Sequence, residues 1–354
     1  MRLTSTAFFV TLVVLCLLVM AATLLVWQRI PGPGWVRWPA RTALLVLCQL
    51  TAIAATATWI NSSFGLYASW NDLLGRDTLT ENPAMAGVPP RMAKFSRGTS
   101  GTLTTQFRGS ASKLSGQVIV WAPPGHHVNS RTDTPLPVVL LLHGVPGGPQ
   151  SWLENGHMPA AFERLVQDGA THPFLLVMPV VDPGGVDTDC SDTPRRKVAT
   201  WLAKDVPDLV RQHFRTLSGP KAWGVMGYST GGYCAAKLPL QFPSVFGAGA
   251  ALDPDPLAGE ADVLPDPALR ARNAPTTLVR GSRANVALFL ATSRQDRDSP
   301  PAQIEVFVQE AKGSSVRVST LVRPTGGHNY STWTGMYPDA FAFLSSELTT
   351  PAGD

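Results

Sequence analysis

Trp223-Gly-Val-Met-Gly-Tyr-Ser-Thr-Gly-Gly-Tyr-Cys-Ala-Ala-Lys237 is the stretch on which the reading of the fold turns. Ala222 to Met226 is an apolar run of strand length, Gly227-Tyr-Ser-Thr-Gly231 fits G-x-S-x-G, and Cys234 to Gln241 continues with apolar residues at helical spacing. A strand, a tight turn and a helix in that order place Ser229 on a sharp elbow. Glycine two residues before and two after leaves room that a Cβ would obstruct. The free N–H groups of the following helix face any negative charge that develops beside Ser229. G-x-S-x-G alone also describes an inert Gly/Ser turn; the flanking strand and helix favour the elbow.

Outward from the elbow, short apolar runs alternate with helical patterns. Strands are expected at Thr102 to Phe107, Gln117 to Ala122, Val138 to Leu142, Phe174 to Met178, Phe246 to Leu252, Val286 to Ala291 and Val316 to Val322. Helices are expected at Lys197 to Phe214, bent at Pro207, at Pro301 to Ala311 and at Thr332 to Leu348. Strand–helix alternation over about 250 residues implies an α/β fold, a mostly parallel sheet with helices on both faces.

The first 60 residues differ in kind. The chain has 354 residues, 44% hydrophobic and 15% charged, and the apolar excess lies at the N-terminus. Thr6 to Trp27 carries no charge and is long enough to cross a hydrocarbon core of ~30 Å. A cleaved signal peptide is the competing reading, but a second uncharged run, Thr42 to Ile60, follows. Between them Arg29, Arg37 and Arg41 stand without an acid, and such loops stay cytoplasmic. Both termini would then lie on the extracytoplasmic side of the cell membrane. The expected organisation is an anchor over 1–60 with spans at about 6–27 and 42–60, a connector over 61–98, a catalytic domain over 99–348 and a tail over 349–354. The net charge of +4 comes from scattered basic residues, which excludes a nucleic-acid surface, and no obligate protein partner is implied.

A serine hydroxyl is a weak nucleophile until a base takes its proton, and in elbow folds the partners follow in the order Ser, acid, His. Of seven histidines, His328 alone follows Ser229, in Thr325-Gly-Gly-His-Asn-Tyr330 between a strand and the last helix. The acid is sought in Thr292-Ser-Arg-Gln-Asp-Arg-Asp-Ser299. Asp296 is nearest the strand end; Asp298, and then Asp253 and Asp255 after the preceding strand, are the alternatives. A tetrahedral oxyanion needs two N–H donors. Thr230 supplies one, and His143-Gly-Val-Pro-Gly-Gly148 the other, from Val145 or, second, Gly144, since Pro146 cannot donate. His143 is expected to pack beneath that loop.

Of the four cysteines, Cys16 and Cys48 fall in the spans as packing residues. Cys190 and Cys234 fall in the exported part, where a disulfide pinning a loop to the elbow helix is open, as are two free thiols.

His143-Gly144, Gly227-Tyr-Ser-Thr-Gly-Gly232, the loop acid and Gly326-Gly-His-Asn-Tyr-Ser-Thr-Trp333 together resemble the esterase family of α/β-hydrolases, which includes esterase D (S-formylglutathione hydrolase) and mycobacterial mycolyltransferases. With its N-terminal spans, the chain resembles membrane-anchored esterases of actinobacteria. The resemblance implies a triad of Ser229, Asp296 and His328, an acyl-enzyme, no metal or other cofactor, and a small-molecule or lipid ester as substrate. Acyl transfer to an alcohol by the same triad, and a non-catalytic envelope module on the same fold, are the alternatives.

Overall fold

The computed structural model describes residues 6–64 and 93–351. The chain divides into two compact units, Met1–Met85 and Ala86–Asp354. Most of the expected connector lies outside the described residues.

In the first unit two helices pack together, α1 (Thr6–Val26) and α2 (Gly34–Phe64). Both are long and apolar enough to cross a membrane, over Phe8–Val26 and Gly34–Ile60. The second span was expected to begin at Thr42, after a loop reaching Arg41. The helix instead starts at Gly34 and continues through Pro39. Pro39 falls in the second turn, where its missing N–H costs one bond near the helix end and the helix continues through it. Arg37 and Arg41 therefore stand on the helix, with the Arg41 guanidinium 5.1 Å over the Trp27 ring.

The second unit is built on a sheet of nine strands among the described residues. They are β1 (Ser96–Arg97), β2 (Leu103–Arg108), β3 (Ser115–Trp121), β4 (Val138–Leu142), β5 (Leu175–Pro179), β6 (Trp223–Ser229), β7 (Ala248–Pro254), β8 (Ala287–Ser293) and β9 (Arg317–Arg323), in the order β1-β2-β3-β5-β4-β6-β7-β8-β9. From β5 to β9 every pairing is parallel, while β1, β2 and β3 add an antiparallel flank. The expected α/β architecture is the observed one.

The central strands read as continuous apolar runs because both faces are covered. On β4, Val138, Leu140 and Leu142 enter one buried cluster while Val139 and Leu141 enter the other. One face is packed by α4 (198–213), α5 (Thr230–Gln241) and α6 (Pro301–Glu310); the other takes α3 (Ala160–Gln167) and the last helix, α7 (Tyr330–Glu347). The bend expected in α4 at Pro207 is a π-turn at Trp201–Asp205. A proline ring clashes with the carbonyl four residues back, here Ala203, and widening the turn around that carbonyl absorbs the clash without breaking the helix.

Candidate active site

The site stands at the carboxyl ends of β4, β6, β7 and β8, where the strands of a parallel sheet hand over to their loops. Ser229 ends β6 with φ 56° and ψ −127°, a strained conformation for a residue with a Cβ. The helix α5 starts at Thr230, earlier than the apolar spacing from Cys234 suggested. Both elbow glycines are required by contact: a Cβ on Gly227 would lie 2.2 Å from the Gly231 carbonyl oxygen, and one on Gly231 would lie 2.1 Å from that of Leu142.

The His328 ring bridges from the serine to a carboxylate. Its Nε2 is 2.9 Å from Ser229 Oγ and its Nδ1 is 3.0 Å from Asp296 Oδ2. The other oxygen of Asp296 accepts the N–H groups of Asp298 (2.9 Å) and Ser299 (2.8 Å). Burial opposes the charge on Asp296, but the His328 bond and these N–H groups outweigh it and hold the carboxyl below its ordinary value. Burial likewise opposes protonation of His328, and the hydrogen bond and charge of Asp296 outweigh it, so its pKa is raised above 6.5. The ring also meets the edge of Trp333 at 5.3 Å and 90°.

The alternative acids are placed elsewhere. Asp298 gives its backbone to Asp296 and turns an exposed side chain toward the cavity mouth. Asp253 is fully buried at φ 40°, with no hydrogen bond of good geometry on either carboxylate oxygen, and burial together with the charge of Asp296 pushes it up to about 7 against the opposing pull of the Thr292 and Trp333 side chains beside it. Asp255 was weighed only as a distant candidate for the acid. It lies instead beside Ser229, whose Oγ donates to its Oδ1 (3.0 Å), while Thr230 Oγ1 donates to its Oδ2 (2.6 Å).

The loop after β4 presses on the elbow: a Cβ on Gly144 would stand 3.0 Å from the Ser229 Cβ and 3.4 Å from its Oγ. His143 holds that loop from below. Its Nε2 accepts the Val181 N–H (3.1 Å), so its proton sits on Nδ1, which donates to the Gly144 carbonyl (2.8 Å). Full burial pushes its pKa down to about 4, which keeps the ring neutral in this role. Val145 and Thr230 both border Ser229, the first in the cavity wall and the second as the opening residue of α5, whose N–H has no acceptor within the helix.

The family model described as "Putative esterase" matches residues 112–344, a span that carries every one of these groups. The chain belongs to that family. Among solved structures, a ferulic acid esterase is 20% identical with a TM-score of 0.59, covering 72% of this chain and 98% of its own. An S-formylglutathione hydrolase from Agrobacterium tumefaciens is 18% identical with a TM-score of 0.58, over 73% of this chain and 100% of that one. The fluorophosphonate-binding serine hydrolase F of Staphylococcus aureus is 16% identical with a TM-score of 0.53, over 72% and 99%. These likenesses show the shared fold. An uncharacterised protein of Corynebacterium glutamicum is 30% identical over 131 residues, 36% of this chain and only 30% of that protein's length.

A cavity of about 330 Å³ opens over Ser229 and His328, walled by Val145, Asp255, Pro256, Glu260 and Asp298. Asp296, Asp298 and His328 place ligand atoms within 4.8 Å of one another, a spacing that a cation would accept. Binding there would compete with the bonds that His328 and Asp296 already make to each other, to Ser229 and to two backbone N–H groups. Behind the elbow, Cys190 is joined to Cys234 on α5, and Lys237, one turn further on, donates to the Asp189 carbonyl and to Ser191 Oγ (2.8 Å). One loop is thus tied to the elbow helix by a covalent bond and by the buried Lys237 side chain.

Proposed function

We propose that this chain is a serine esterase that cleaves carboxylic esters through an acyl-enzyme, with Ser229 as nucleophile, His328 as base and Asp296 as the acid that orients it. The observation that carries the reading is the His328 ring held between Ser229 Oγ at 2.9 Å and Asp296 Oδ2 at 3.0 Å. With Nδ1–H committed to Asp296, the neutral ring presents the Nε2 lone pair to the hydroxyl. Ser229 Oγ attacks the acyl carbon as its proton passes to Nε2. The N–H groups of Val145 and Thr230 hold the oxyanion, and the proton returns to the leaving alcohol as the ester C–O bond breaks. Water then adds to the acyl-enzyme by the same route in reverse, releasing the acid.

We further propose that α1 and α2 anchor the enzyme in the cell membrane, with the catalytic unit on the extracytoplasmic side. Leu24, Leu25, Leu50 and Ile53 are exposed along the two helices, an arrangement that lipid tolerates and water does not. Arg29 between the two helices, Arg37 and Arg41 toward the N-terminal end of α2, and the Cys190–Cys234 bridge fit that orientation.

Hydrolysis of p-nitrophenyl butyrate by the full chain in detergent tests the assignment. Ser229→Ala should lower kcat by about 10⁴-fold or more, the scale for loss of a triad nucleophile. Turnover within a few-fold of wild type in the folded variant would refute it.

A further inference from the structure

Ser229 Oγ carries one hydrogen and stands within hydrogen-bond distance of two acceptors, His328 Nε2 at 2.9 Å and Asp255 Oδ1 at 3.0 Å. Both cannot be served at once. The conflict grows once the serine is acylated, because its oxygen then has no hydrogen and Asp255 Oδ1 loses its donor. Asp255 is poorly placed to turn away. Its other oxygen is held by Thr230 Oγ1 at 2.6 Å, and its backbone N–H bonds the Ser229 carbonyl at 3.2 Å. Asp255 is only partly buried and faces the cavity, so the donor its oxygen loses must be replaced by whatever enters that cavity beside the acylated serine.

Resting on the reading of Ser229 as the acylated residue, we propose that Asp255 positions the second nucleophile of the reaction, accepting one of its hydrogens while His328 takes the other. Water has two O–H groups and meets both demands. A monohydric alcohol has one, and when it attacks through His328 it leaves Asp255 unserved. An alcohol with a neighbouring hydroxyl supplies the second donor from the next carbon. The acceptors that suit this geometry are water and vicinal diols. In the step itself the nucleophile's O–H proton passes to His328 Nε2 and its oxygen bonds to the acyl carbon. The acyl C–O bond to Ser229 then breaks, and the proton moves from Nε2 to Ser229 Oγ. Asp255 neither gains nor loses a proton.

The test divides the two halves of the reaction in the full-length enzyme in detergent. Acylation is read from the pre-steady-state burst of p-nitrophenol. Deacylation is read from the steady-state rate that follows the burst, and the acceptor preference of that step from the partition of the acyl group between water and added ethane-1,2-diol or ethanol. Wild type should favour ethane-1,2-diol over ethanol by about tenfold per mole, the scale of one hydrogen bond to a charged acceptor. In Asp255→Asn the preference should fall to about the statistical factor of two for two hydroxyls, and deacylation should slow by about tenfold while the burst rate changes less than about threefold. Equal slowing of both phases, or an unchanged preference, would overturn the proposal. If Asp255→Asn does not fold, the wild-type preference decides, and its absence is fatal to the idea. Failure of wild type to form any acyl-enzyme would instead remove the Ser229 assignment beneath it.

Discussion

Two carboxylates sit at the ends of neighbouring strands, both buried and both electrostatically close to His328, yet the fold treats them differently. Asp296, just past β8, takes two backbone N–H groups on one oxygen and the His328 ring on the other. Asp253, at the end of β7, takes no hydrogen bond of good geometry on either oxygen. The first is held below the ordinary carboxyl pKa and the second pushed well above it. Nearness to the histidine does not separate them: well-aligned donors lower Asp296, while burial and the charge of Asp296 raise Asp253. In the proposed reaction Asp296, ionised at neutral pH, stabilises the imidazolium that forms as Ser229 attacks, whereas Asp253, pushed up to about 7, gives up its proton far less readily and makes no bond to the ring.

The largest effect that would break this contrast is on turnover. Asp296→Asn should lower kcat by about 10³ to 10⁴-fold, since the amide keeps the shape but supplies neither the charge nor the right partner for Nδ1–H. Asp253→Asn should cost less than about tenfold, because it alters a carboxyl that bonds neither Ser229 nor His328. A reversal, with Asp253→Asn the more damaging, would hand the role of acid to β7.

A smaller effect lies in the pH dependence. Acylation needs neutral His328, and its pKa is raised, so kcat/KM should fall with decreasing pH through a midpoint above 6.5. Asp296→Asn removes the chief group that raises it. The midpoint in the residual activity of that variant should therefore drop by about one unit or more, while Asp253→Asn leaves it within about half a unit. Midpoints that coincide in wild type and Asp296→Asn would show that the charge of Asp296 is not what raises the histidine.

What could be read beforehand follows the reach of each interaction. The elbow is local: strand, glycines and helix follow one another without a break from Trp223 to Gln241, and the glycines are dictated by the carbonyls they touch. His328 was reached by elimination, which needs only chain order. The acid was narrowed to a loop because the choice within Asp296-Arg-Asp298 depends on which carboxylate folds back onto the N–H groups of 298 and 299. Asp255 as a partner of the nucleophile was not legible. Along β7 the pairing with β6 slips, so that Tyr228 faces Leu252 but Ser229 faces Pro254. That single-residue irregularity buries Asp253 and carries Asp255 to Ser229, and a strict two-residue alternation predicts neither. The early start of α2 was missed for a related reason: Trp35 to Pro39 carries an arginine and a proline, which read as loop until the helix is seen to begin before them.

The central claim is that Ser229 is the residue that becomes covalently acylated. Peptide mass spectrometry of the full chain after treatment with a fluorophosphonate probe tests it most directly. The account predicts one adduct, on the peptide containing Ser229, lost in Ser229→Ala and greatly slowed in Asp296→Asn. An adduct on another residue, or labelling that persists in folded Ser229→Ala, would contradict it.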